Sequence, residues 1–333
     1  IKKDVTQVLS FLQKGELLLL KYTLKRIFSL IPVLFVVSIV IFALIHLTPG
    51  EPASVILGPE ATPEQVQELR KQLGLDRPIH EQYFSWVQGV FKGDLGTSYF
   101  MREPVTKSIM DHLKPTLSLA TLGMLISLII AIPIGIAAAN RRGSLTDQTI
   151  MGFSLLGMSI PSFLLGLLLI LFFGVKLGVL PVAGYQPISN GLWNHLKYLI
   201  MPAISLGSIQ AALIARMTRT SMLEVLNMNY IKTARSKGVR DRKIVYKHAL
   251  RNAFLPILTV IGSTLGTLMA GAVVTEQVFN IPGIGQLIIN SVERRDYAVI
   301  QGVVLFITLI YVILNLIIDL LYGLIDPRVR FED

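Results

Sequence analysis

Leu113–Ala139 reads LKPTLSLATLGMLISLIIAIPIGIAAA, and past Lys114 it holds no charged side chain. As a helix, a run of that length crosses the roughly 30 Å hydrocarbon core of a bilayer. Five more blocks of the same kind flank it: Ile27–Leu47, Ile150–Phe173, Tyr198–Met217, Phe254–Val274 and Val299–Leu321. At 52% hydrophobic residues and a mean hydropathy of +0.61, the 333-residue chain is too apolar for a soluble domain. The expected fold is an all-α integral membrane protein of six transmembrane helices, with both termini on one side.

The cationic residues say which side. Lys21, Lys25 and Arg26 precede the first block, Arg141 and Arg142 follow the second, and Arg328 and Arg330 lie in the last tail. Between Arg216 and Arg251 ten Lys/Arg face two acids, Glu224 and Asp241. Residues 48–112 instead hold six Lys/Arg and nine Asp/Glu, and 174–197 hold only Lys176 and Lys197. The positive-inside rule then places both termini in the cytoplasm. The net charge of +10 thus expresses topology, and no nucleic-acid partner is needed to explain it. Zero cysteines exclude disulfides, thiolate metal sites and cysteine catalysis.

Residues 1–20 look like an N-terminal amphipathic extension: Ile1, Val5, Val8, Leu9 and Leu12 share a helical face suited to the membrane surface. A signal peptide is not expected, since a full-length span follows the basic residues without a small-residue cleavage site. The outer loop, 48–112, reads as a small folded cap. Thr62-Pro63-Glu64-Gln65 is a helix start with a capping box, and Gly74 suits a left-handed stop. A second helix after Pro78 carries Tyr83, Trp86 and Phe91, aromatics fitted to the membrane boundary. Two compatible readings stand: a lid that ties spans together, and a surface on which an external delivery protein docks.

Charge is scarce inside the blocks. Asp319 reads as the only acid well within one, and its place in the last turns favours a cap or ion pair over a proton relay. An ion-driven carrier would show more buried acids or interrupted helix pairs, so self-powered transport is disfavoured. Pro133, Pro161, Pro202 and Pro256 fall one each in or near the second to fifth blocks, where a bend is tolerated beside neighbours or a pathway.

The basic loop, 218–252, reads as a short helix over 224–237 with a small, partly apolar face. Gly238 permits a sharp turn, and a second helical stretch from Arg240 leads into Phe254. A partner protein's groove could hold that shape as a rigid body. Here lies the block Tyr230-Ile231-Lys232-Thr233-Ala234-Arg235-Ser236-Lys237-Gly238, followed by His248-Ala249-Leu250-Arg251-Asn252-Ala253. With Leu47–Pro52, Leu73–Pro78, Gly93–Gly96, Leu180-Pro181, Glu276–Gly285, Arg295–Tyr297 and Asp326–Arg328, it resembles the inner-membrane permeases of binding-protein-dependent ABC importers. The resemblance points to the dipeptide, oligopeptide and nickel branch and runs from about residue 22 to 330. The Glu-Ala-Ala start of the general importer loop is replaced here by Lys232-Thr233-Ala234, as is usual in the peptide branch.

The resemblance implies a type I ABC importer permease domain over 21–330, in a bacterial inner or plasma membrane. It implies four kinds of partner: a second homologous permease, two ABC ATPase subunits, an extracytoplasmic solute-binding protein and the lipid bilayer. The expected ATPase-coupling residues are Tyr230, Thr233, Ala234, Arg235, Lys237, Gly238, His248 and Arg251. Pro161, Pro202, Glu276 and Asp319 are the candidate pathway or gate residues. No catalytic or metal-binding residue is expected in the chain. It has no Gly-Lys dipeptide and so no GxxxxGK[ST] phosphate loop, which leaves ATP and Mg to the partner ATPases. The five histidines are scattered over both faces without HExxH or GxSxG, against a membrane enzyme. The implied cargo is di- or oligopeptide, with nickel or metal–chelator complexes and glutathione as alternatives; an ion-coupled secondary transporter is a distant one.

Overall fold

The computed structural model describes residues 23, 27–43, 52–58 and 60–325, with backbone alone at 52, 319 and 321–325. The expected amphipathic extension at 1–20 lies outside the described residues. The helices are α1 (Ile27–Ala43), α2 (Pro52–Leu57), α3 (Pro63–Gln72), α4 (Ile79–Phe91), α5 (Val105–Asn140), α6 (Leu145–Ser159) and α7 (Ser162–Leu169). They continue with α8 (Leu192–Leu226), α9 (Asn229–Ser236), α10 (Asp241–Lys243), α11 (Leu250–Phe279), α12 (Ile284–Glu293) and α13 (Tyr297–Ile325). A two-stranded antiparallel hairpin, β1 (Thr97–Ser98) with β2 (Glu103–Pro104), is a small addition to the expected all-α fold.

Among the described residues four helical stretches are long and apolar enough to cross a membrane: those within α5, α8, α10–α11 and α13. A fifth is the α6–α7 pair if its two halves make one span. The block expected at Ile27–Leu47 appears as α1, which ends where the described residues do. The helices outrun their apolar blocks: α8 begins before Tyr198 and extends past Met217 to Leu226, and α11 continues past Val274 to Phe279. Backbone hydrogen bonding carries a helix on through polar residues wherever one of its faces stays buried. Two expectations change as a result. Glu224 belongs to α8 rather than to the short basic helix, and Asp319 is not the only acid inside a span, because α11 encloses Glu276. The side chain of Asp319 lies outside what is described.

The third block is also not one straight helix. α6 meets the helical stretch that starts as α7 and runs on to Lys176 at 97°. Pro161 disfavours helical geometry in the residue before it, and Ile160 is accordingly extended, at φ −86° and ψ 120°. Pro133, Pro202 and Pro256 stay inside continuous helices.

The described residues divide into two compact units, Leu113–Gln286 and those that fall within 1–112 and 287–333. In the first, α8 is central. Of its most apolar stretch 67% is buried, against 22% for α13, and its Leu199, Met201, Ala203 and Ile214 are almost fully enclosed. It crosses α5 at backbone contact: a Cβ on Gly207 would come within 2.6 Å of the Gly123 carbonyl oxygen. Small residues of this kind let membrane helices approach closely.

In the second unit the Thr62 capping box forms as expected, with Gln65 N–H donating to Thr62 Oγ1 at 3.4 Å and Thr62 N–H to Gln65 Oε1 at 3.0 Å. Tyr83 and Trp86 of α4 meet the Phe42 ring of α1 at 5.3 and 6.0 Å between centroids, and Tyr83 shares a 2.8 Å hydrogen bond with Ser38. Ser98 of the hairpin donates to the Asp296 carboxylate at 2.5 Å, just before α13.

Candidate functional site

The basic stretch folds as a helical hairpin rooted in the first unit. α8 stops at Leu226, and the Asn227–Met228 turn redirects the chain into α9. Only Ile231 of α9 is fully buried. It joins the core to which Ile244, Val245, Ala249 and Ala253 contribute from the returning arm. That buried anchor, with Ala234 half-buried beside it, explains how so polar a helix holds its place: one face docks and the rest stays wet.

Tyr230 adds a polar rivet. Its hydroxyl accepts from Asn252 Nδ2 at 2.6 Å and donates to the His248 carbonyl at 3.3 Å. The two sequence blocks that begin at Tyr230 and His248 are thus joined in space, and it is the backbone carbonyl of His248 that takes part.

Gly238 ends α9 with φ +74°, a left-handed conformation that costs any residue with a Cβ about 1–2 kcal/mol. Gly238 N–H reaches the Arg235 carbonyl at 2.9 Å and Val239 N–H the Ala234 carbonyl at 3.2 Å. This paired closure of a helix end is the Schellman arrangement, in which the residue after the glycine packs back on the last turn. Val239 and Ala234 are both half-buried against the core. Beyond the turn, α10 and a wider helical segment over Ile244–Ala249 lead without a break into α11.

Eight Lys/Arg lie between Met228 and Arg251, all exposed, against the single Asp241. The pair between Arg235 Nε and Asp241 Oδ1 spans 3.7 Å in open solvent, which leaves the face strongly positive. Thr233, Arg235, Lys237, Gly238 and Arg251 are exposed, while Ala234 and His248 are half-buried. A firm, basic, protruding hairpin can be held by an acidic partner and can transmit a push to the ends of α8 and α11.

The candidate pathway residues are not part of this surface. Pro161 marks the α6–α7 bend, and the next residue, Ser162, accepts a 2.5 Å hydrogen bond at its carbonyl from Ser205, in the same helical turn as Pro202. Glu276 lies at the far end of α11. Its Oε1 accepts from Thr116 at 2.6 Å, and its Oε2 accepts from the Gly285 and Gln286 backbone N–H groups at 2.7 and 3.1 Å. Thr116 Oγ1 accepts from Ile284 N–H at 2.8 Å. Glu276 and Thr116 together satisfy the free donors at the start of α12. A Cβ on Gly283 would collide with the Glu276 carboxylate, which accounts for a glycine there.

Reasoning from sequence did not single out Thr116, Asp147 or Arg219. Arg219 Nε and Nη2 grip Asp147 Oδ1 and Oδ2 at 2.6 and 2.7 Å. Ser144-x-x-Asp147 is a capping-box pattern that could have drawn attention to Asp147. Thr116, 160 residues from Glu276, carries no such signal.

Comparison with known proteins agrees with this architecture. Residues 131–331 match the family described as the binding-protein-dependent transport system inner membrane component, and residues 19–120 match its N-terminal membrane component. A probable peptide ABC transporter permease protein of Sinorhizobium fredii is 43% identical over 93% of this chain and 99% of its own length. The glutathione transport system permease protein GsiC of Salmonella typhi is 42% identical over 94% and 100%. The inward-facing MetNI methionine ABC transporter shares the fold, with a TM-score of 0.55 at 20% identity over 66% of this chain and 96% of that one. The apolar helices, the relatives matched along nearly their whole length and the shared fold meet in one assignment: the chain belongs to the binding-protein-dependent transport system inner membrane components, as a multi-pass permease of an ABC importer.

Proposed function

We propose that the chain passes di- or oligopeptides from an external solute-binding protein into the cytoplasm, driven by ATP hydrolysis in separate subunits. The working assembly is this permease, a second homologous permease and two ABC ATPases, with ATP and Mg held by the ATPases. The observation that carries the reading is the α9 hairpin, a basic helix closed by Gly238 and riveted through Tyr230 to the root of α11. Closure of the ATPases moves that hairpin, and α8 and α11 follow as the bundle switches between inward- and outward-facing forms. Residues 48–112 supply the surface on which the binding protein docks.

Glutathione, itself a small peptide, is the second reading, favoured by the match to glutathione transport permeases along their full length. Uptake of labelled dipeptide into cells lacking the chain and into complemented cells tests both. Oligopeptide, glutathione and nickel–chelate serve as competitors. Restored uptake that one competitor blocks assigns the cargo class. Failure to restore any of these activities removes the peptide assignment.

A further inference from the structure

The bent helix needs a connection to whatever moves it, and α6 has one polar tie to another helix among the described residues. Three of its four hydroxyls are turned inward on the helix itself: Thr149, Ser154 and Ser159 each donate to a carbonyl four residues back. Its packing is one-sided and chiefly against α8. Phe153, Leu155 and Leu156 are largely exposed, and a cavity of about 380 Å³ runs between α6, α5 and α8, lined by Ile130, Ile134, Phe153, Gly157 and Ala212.

Asp147, only 3% exposed, is the exception. Besides the two-pronged contact with Arg219, its Oδ2 accepts from Gly143 N–H at 3.0 Å, and its own N–H donates to Ser144 Oγ at 3.3 Å. One carboxylate thus joins the turn after α5, the first turn of α6 and the body of α8. Beside it α5 and α8 touch, since a Cβ on Gly135 would lie 2.6 Å from the Thr218 Cβ. Beyond Arg219, α8 runs on to Leu226 and hands over to α9.

We propose that Asp147 and Arg219 are a positioning pair that makes α6 travel with α8, so that displacement of α9 reaches the α6–α7 bend. The pair is not explained by stability alone, because buried ion pairs add little that an apolar pair of equal volume would not. A two-pronged guanidinium–carboxylate contact does fix geometry, which an apolar contact does not. At the other end of the bend the Ser205–Ser162 bond ties α7 to α8, so α8 holds the bent helix on both sides of Pro161. The inference rests on the importer reading above.

The test uses the assembled importer in proteoliposomes, with glutathione and dipeptide as cargo, comparing wild type, R219Q, D147N and R219K. R219Q and D147N are expected to assemble and hydrolyse ATP while cargo moved per ATP falls about tenfold, a usual size for a coupling free energy. R219K keeps the charge but loses the fork and is expected to lose about threefold. Because the chain has no cysteine, Q148C/T220C accepts spin labels on α6 and α8 alone within it. Their distance should stay constant within about 2 Å through the ATP cycle in wild type, less than a full helix shift. In R219Q it should vary.

A wild-type label distance that changes with ATP overturns the proposal. So do single variants with normal cargo per ATP, and variants whose lost uptake matches their lost assembly. Wild-type assemblies that hydrolyse ATP without importing cargo would fail the importer reading instead. The label distances in wild type and R219Q still decide the tie in that case.

Discussion

α11 has a polar assembly at each end, and the two are built on opposite principles. At its start, the α9 hairpin leaves eight cations in water and holds itself with one buried isoleucine, one tyrosine hydroxyl and a glycine turn. At its finish, Glu276 is wholly buried and both its carboxylate oxygens are engaged, by a side chain from α5 and two backbone donors of α12. On the function proposed above the first meets another molecule; the second joins residues of α5, α11 and the first turn of α12, all within 113–286. A buried polar group left without its partner is costly, whereas an exposed one finds water. The same chemical change should therefore matter far more at the Glu276 end.

Glu276→Ala is expected to show the largest effect. It withdraws the acceptor from Thr116 and from the Gly285 and Gln286 N–H groups, at a cost of about 4 kcal/mol. Thermal unfolding of the purified permease in detergent should show a large drop in Tm and little protein in the membrane. Glu276→Gln keeps one acceptor oxygen and should fall in between. If Glu276→Ala unfolds at the wild-type temperature, the corner is not a structural joint and the contrast between the two ends collapses.

The two ends also differ in how far they could be read from sequence. The hairpin announces itself through an excess of basic residues, a break in hydropathy and a glycine after a short helix, all local signals. The Glu276 corner depends on Thr116, 160 residues away, and the Asp147–Arg219 contact spans 72 residues. No periodicity encodes such pairings. Helix ends lie beyond the apolar blocks for a related reason: hydropathy locates the part of a helix in apolar surroundings, while α8 and α11 carry on as polar, partly buried helices. Pro161 and Pro202 look equivalent in sequence. Only in the fold is one seen at a 97° bend and the other buried inside a continuous helix.

At the hairpin, Gly238→Ala must hold a left-handed residue and should cost about 1 kcal/mol, a small shift in Tm. Among the described residues, its two chain neighbours aside, nothing lies within 4 Å of the Cβ it would add, so any larger loss of uptake has to arise against a partner. Gly238→Trp sharpens this: it is expected to insert and to allow ATP hydrolysis, but to uncouple hydrolysis from uptake. Normal ATP-driven uptake by Gly238→Trp would remove the turn from the coupling surface. Tyr230→Phe, which loses both hydroxyl bonds at a site open to water, should cost about 0.5 kcal/mol. Its signature should be faster amide exchange over α9 with little change in Tm.

The smallest effect on stability is expected from Arg235→Ala, and that makes it the sharpest probe of what the hairpin is for. Its 3.7 Å contact with Asp241 is exposed on both sides, and such pairs contribute about 0.3 kcal/mol, less in salt. Tm should not move measurably. If Arg235 serves the chain alone, uptake should not move either. If the positive face is held by an acidic surface on the ATPase, Arg235→Ala should weaken association with the ATPase about fivefold at low salt, and the difference should shrink as salt screens the contact. Asp241→Ala then makes the decisive partner to it. It breaks the same ion pair but leaves the face more positive, so it should preserve or strengthen association. Equal losses from both variants would mean that the pair itself matters and the charge does not, and the hairpin would then belong with the Glu276 corner as a structural joint.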